Sequence, residues 1–117
     1  MQVNSSHITD IWFRSALSLE QLASVIGLSE PQSDVEDDWE WVVGYFDGIA
    51  VDVARQNSQP ADTVETRIFR LDLEPFSADQ KTEIISRLRS VVTAPITLGR
   101  WVHIEDGQYD VQSDETV

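Results

Sequence analysis

Six carboxylates fall within eleven residues, Glu30, Asp34, Glu36, Asp37, Asp38 and Glu40, with no Lys or Arg among them. Trp39 and Trp41 sit in the same run. Acids clustered in this way can hold a divalent cation, form a catalytic pair, or present charge to a basic partner. The calcium reading fails on order, because Asp34 to Asp38 lacks the alternating aspartates, the turn glycine and the distal glutamate of an EF-hand loop. Glycosidase chemistry needs two carboxylates facing each other across a cleft, and no pair here is singled out by its neighbours. The third use fits the tryptophans as well as the acids. Trp supplies large anchors that lose water on binding, and surrounding charge speeds encounter with a partner of opposite sign. Residues 39 and 41 have the same parity, so on a strand they point to one face. The competing expectation is that both pack beneath helices. The candidate partner-binding set is therefore Asp34, Glu36, Asp37, Asp38, Trp39, Glu40 and Trp41.

Other chemistries lack their parts. There is no cysteine, which removes disulfides, thiolate nucleophiles and most structural zinc sites. His7 and His103 are the only histidines, and a zinc site would need carboxylates to complete it. No G-x-S-x-G elbow occurs. The glycines stand singly at 27, 44, 48, 99 and 107, so no loop is built to cradle phosphate. The expectation is a protein that is not an enzyme, with no catalytic residues, no metal and no cofactor.

Twenty-one acidic residues face eight basic ones, a formal charge of −13. Such a field repels nucleic acid and anionic lipid and attracts basic proteins, although acidity also serves solubility alone. No run of ~18 apolar residues spans a membrane, and the first residues lack the basic patch and apolar run of a secretory signal. A cytoplasmic location is the default expectation.

A chain of 117 residues accommodates one domain, with residues 1–6 and 108–117 as flexible ends. A first strand is expected over 7–14, where Ile11 and Phe13 share one face and Trp12 takes the other. Ser18 with Gln21 forms a capping box, Leu19, Leu22, Ala23, Val25 and Ile26 follow a helical period, and Gly27 suits a left-handed cap. Residues 29–38, with Pro31 and no apolar period, read as an exposed acidic loop. Trp39–Phe46 and Ile49–Arg55 flank Asp47-Gly48, the strongest hairpin signal in the chain. Ile49, Val51 and Val53 are expected on the buried face of one strand, and Trp41, Val43 and Tyr45 alternate likewise on the other. A further strand runs over 66–73, with Phe69, Leu71 and Leu73 on the core side. Ser77 and Gln80 repeat the capping box and open a helix whose stripe is Ile84, Ile85, Leu88, Val91 and Val92. Pro95 ends it, and 96–104 forms the last strand. The fold class is α+β: a mostly antiparallel sheet in the order β-α-β-β-β-α-β, with two helices packed on one face.

The run from Asp10 to Leu22, the short acidic segment and the Trp-Glu-Trp-Val-Val-Gly hairpin at 39–44 together resemble small bacterial immunity proteins. These are made beside polymorphic toxins of contact-dependent or type VI secretion systems. The likeness extends over roughly residues 8–104, and its motifs are fold-forming ones: a cap, a hairpin, a helix. It implies a cytosolic protein whose partner is a cognate toxin with a basic binding surface, blocked at its active site or at substrate access. An acidic adaptor or regulatory domain, and less readily a DNA-mimic inhibitor, share the same composition.

Overall fold

The computed structural model describes residues 7–72, 74–105 and 108–117. Seven strands form one sheet: β1 (His7–Arg14), β2 (Ser29–Glu36), β3 (Trp39–Phe46), β4 (Ile49–Gln56), β5 (Glu65–Arg70), β6 (Thr97–Glu105) and β7 (Gln108–Thr116). Their spatial order is β2-β3-β4-β5-β1-β6-β7, and every neighbouring pair is antiparallel. Two helices, α1 (Leu19–Ile26) and α2 (Ala78–Leu88), complete the α+β architecture.

Both helices start where their side chains dictate. Ser18 and Ser77 accept from the backbone N–H of Gln21 and Gln80, and those glutamines accept from the serine N–H groups in return. Each box satisfies two donors that a helix start otherwise leaves open. Gly27 ends α1 at φ 89°, a left-handed conformation that costs a residue with a Cβ far more. The β3–β4 turn places Asp47 at φ 53° and Gly48 at φ 78°, the pair of positive angles that matches strand twist in a two-residue hairpin.

One apolar cluster joins the two helices to one face of the sheet. Leu19, Leu22 and Ile26 of α1 and Ile84 and Leu88 of α2 bury against Ile11, Phe13, Val42, Val51, Val53 and Ile68. Arg55 enters the same layer almost fully buried. Its Nη1 donates to the carbonyls of Ser15 (3.3 Å) and Leu17 (2.8 Å), and its Nε lies 3.9 Å from Glu40. One guanidinium thus ties β4 and β3 to the entry of α1.

Five details differ from the sequence reading. Residues 29–36 are not a loop but the edge strand β2, paired with β3 and exposed along its whole length. An edge strand needs no buried side chain to be held; its ladder suffices, so it carries no hydrophobic alternation to detect. Residues 108–116, expected as a flexible end, form the other edge strand, β7, paired with β6. On β3 the helix side takes Val42, Gly44 and Phe46, not Trp41, Val43 and Tyr45. On β5 it takes Thr66 and Ile68, so Phe69 faces away from the helices and Leu71 is exposed. Helix α2 also ends at Leu88, which leaves Val91 exposed while Val92 stays buried. Residues 1–6 and Leu73 lie outside the described residues. Among the described residues no helix is long and apolar enough to cross a membrane.

Candidate partner-binding surface

The β2–β3 hairpin divides the predicted set between two faces. Asp34 stands directly across from Trp41, and Glu36 directly across from Trp39. These four share the face opposite the helices, because alternate residues of a strand point to opposite sides. Trp39 and Trp41 are each partly exposed there, so neither packs beneath the helices. Asp37 and Asp38 form the exposed turn that joins the two strands. Asp37 takes φ 55°, which an aspartate tolerates better than most residues. The Asp38 carbonyl accepts from the N–H of Asn57 at 2.8 Å, which holds the turn against the end of β4.

Glu40 departs from the group. It points to the helix side, where its cross-strand partner is Arg55. Its role is to compensate a buried guanidinium. Six of the seven predicted residues therefore form one surface, and the seventh serves the core.

The helix-free face extends well beyond the hairpin, to residues of β4 and β5 outside the predicted set. On β4 the outward residues are Ala50, Asp52 and Ala54, all small. Each is flanked by larger side chains. Tyr45 stands across from Ala50, Val43 and Phe69 across from Asp52, and Trp41 and Arg67 across from Ala54. The result is a row of small residues along β4 between larger ones on β3 and β5. Tyr45 and Leu71, at one end of it, are among the large apolar side chains most open to solvent. At the other end Trp39, Gln56, Val64, Glu65 and Arg67 line a hollow of about 230 Å³.

The acidic charge of this face is concentrated at the β2–β3 hairpin, whereas Arg67 stands on its β5 side. No Lys or Arg occurs between Arg14 and Arg55, a stretch that contributes all of α1, β2 and β3 and most of β4. Two acids in the stretch have shifted affinities for protons, in opposite directions. A hydrogen bond from Ser33 Oγ (2.8 Å) holds the Glu20 carboxyl below its ordinary value. Asp52 is pushed up to about 6, chiefly because burial disfavours its charge, with Arg67 acting weakly against the rise. Its Oδ1 is buried and accepts no hydrogen bond.

The raised value has a definite sign in stability. Folded Asp52 holds its proton up to about pH 6, whereas the unfolded residue releases it near 3.8. Its contribution is therefore fully present below the unfolded value and is lost as pH rises through about 6. Allowing for solvent screening of a partly exposed group, Asp52→Asn is expected to stabilise the protein at pH 7.5 by about 1–2 kcal/mol and to do nothing at pH 4. Glu20 and Asp72, whose values are lowered, tilt the wild-type curve the other way. The informative quantity is the difference between wild type and Asp52→Asn in urea melts across pH 4–8. A difference independent of pH would contradict the assignment.

Among the described residues, no three of His, Cys, Asp and Glu are grouped so as to hold a metal ion. Comparison of the chain with protein-family models, curated proteins and solved structures returned no match.

Proposed function

We propose that the chain works by occupancy: it binds a protein with a basic surface through the acidic β2–β3 hairpin and the helix-free face beside it. The partner in this reading is a bacterial toxin, which the chain neutralises as an immunity protein in the cytoplasm by covering the active site or the path to it. One observation carries the reading. Trp39 and Trp41 lie outside the core, and each faces a carboxylate on the neighbouring strand. An exposed aromatic beside an exposed acid is what a cationic partner needs, since the ring supplies desolvated contact and the acid supplies attraction. The acidic stretch without a cation and the likeness of the strand, helix and hairpin motifs to immunity proteins support the choice of partner.

The test is stoichiometric. The partner captured from native cells is assayed for toxic activity, at concentrations above Kd, while the chain is titrated in. Occupancy predicts protection that rises linearly and breaks near about one equivalent. Full protection at about one-hundredth of an equivalent would mean turnover and would end the occupancy reading.

A further inference from the structure

Val35 is the one apolar residue in the run Asp34-Val35-Glu36-Asp37-Asp38, and it is 58% exposed. It stands directly across from Glu40 on β3, on the side of the hairpin that faces the helices. Helix α1 leaves it uncovered. The first turn of that helix and the hairpin instead border an open groove of about 420 Å³, whose lining includes Leu19, Glu20, Ser33, Val35, Glu40 and Asn57. Ser33 Oγ donates to Glu20 Oε2 at 2.8 Å, which joins strand to helix and fixes this exposed carboxylate at the groove wall. Glu40 lies 3.9 Å from Arg55 Nε, beyond hydrogen-bond reach, and its side chain is 32% open to solvent. Two carboxylates therefore face one buried guanidinium, and the Nη1 of that guanidinium is already given to the carbonyls of Ser15 and Leu17. The groove stays net negative, with acceptor capacity in reach of solvent.

We propose that this groove between α1 and the β2–β3 hairpin receives an arginine side chain of the partner, its stem against Val35 and its guanidinium toward Glu20 and Glu40. The inference rests on the occupancy reading and adds to it a contact on the helix side of the hairpin. A long cation packs its stem on apolar surface while its head finds a charge, and Val35 supplies such a surface next to the acids. Arginine suits the site better than lysine, because a planar fork of five donors can serve acceptors carried by two different elements at once. The strand edge itself favours a side chain over an added strand. Pro31 has no N–H to offer, and the N–H of Val35 is taken by Asp34 Oδ1 at 2.8 Å. A second copy of this chain would bring its own charge of −13 to the same acids and be repelled.

The probe is N-acetyl-arginine methylamide, compared with its citrulline counterpart, which has nearly the same shape and no charge, and with its lysine counterpart. Each is titrated into isotope-labelled protein and followed by backbone amide signals. The arginine form is expected to move the signals of Glu20, Ser33, Val35 and Glu40 to saturation and to bind about fivefold more tightly than the citrulline form. Glu20→Gln keeps an acceptor for Ser33 and removes the charge, so it should abolish that preference. Val35→Ser should weaken the arginine and citrulline forms alike, since it removes the contact for the stem. Both positions are exposed, and an otherwise unchanged amide spectrum verifies the fold of each variant. A preference that survives Glu20→Gln overturns the proposal, and equal binding of the lysine form overturns the choice of arginine. Shifts spread without saturation over distant acids such as Asp79 and Glu83 mean attraction to net charge alone and overturn it as well. Shifts confined to Trp39 and Trp41, or absent altogether, overturn the groove; the titration against toxic activity still decides the occupancy reading by itself.

Discussion

Trp41→Ala is expected to weaken partner binding by more than ~2 kcal/mol, and the double change with Trp39→Ala by more still. The melting temperature of Trp41→Ala should fall by no more than about 5 °C, because the side chain is only partly buried and already meets solvent. Trp12 is the contrasting case. It lies on the same face but is only 7% exposed. Trp12→Ala should cost ~3–5 kcal/mol of stability, in the range of a buried aromatic. Calorimetric titration beside thermal melts separates the two outcomes. If Trp41→Ala lowers stability as much as Trp12→Ala and keeps normal affinity in the cold, the tryptophan is structural and the surface is misplaced. The carboxylates should behave differently from both. Neutralising Glu36, Asp37 and Asp38 together is expected to slow association and flatten its salt dependence with a smaller effect on dissociation, as exposed charges act mainly on encounter.

The second large effect concerns the fold. Arg55→Ala removes a buried guanidinium that donates to the carbonyls of Ser15 and Leu17 and faces Glu40. A loss of about 3 kcal/mol is expected, from charge-assisted bonds to backbone oxygens and from a carboxylate left without its partner. Arg55→Lys should recover only part of it, since an ammonium cannot reproduce the planar fork. Urea titration is the measurement: the midpoint should drop with the slope unchanged. A change below about 1 kcal/mol would mean that water replaces these contacts cheaply and that α1 is positioned by packing alone.

Which parts of this molecule could be read from residues follows from how each residue is held. Both helix starts were legible because a capping box is local, three residues apart and self-contained. The β3–β4 hairpin was legible for the same reason, through Asp47-Gly48. Both edge strands were invisible, because Ser29–Glu36 and Gln108–Thr116 are held by a neighbour's backbone and not by an apolar pattern of their own. The facing of β3 was ambiguous in principle. Trp41, Val43 and Tyr45 are as apolar as Val42, Gly44 and Phe46, and only helix packing decides between them. On β5 the buried Thr66 hid the true inner row, and Phe69 pulled the reading to the wrong side. At the candidate surface, the pairing of acids with tryptophans needed the β2–β3 register, which no local motif encodes. The odd position of Glu40 could have been found, since its parity sets it against Trp39 and Trp41. Asp52 was visible as an acid among Ile49, Val51 and Val53, but its want of a donor appears only with the neighbouring strands in place.

The position of β1 in the sheet sets the order in which this protein can be built on a ribosome. Strands β2 to β5 follow one another both in the chain and in space, so they can pair by short local steps as they emerge. β1 is made first, yet its two neighbours are β5 and β6. It must wait with Ile11 and Phe13 uncovered until β5 offers an edge, and then with one flank open until β6 arrives. The polar edges β2 and β7 guard the finished sheet against pairing with other chains. Neither guards β1 during that interval. A nascent chain stalled before β6 would present an apolar strand with an unpaired edge, the arrangement most prone to misassembly. The interval in which α2 and β6 are synthesised is therefore when β1 has one unpaired edge.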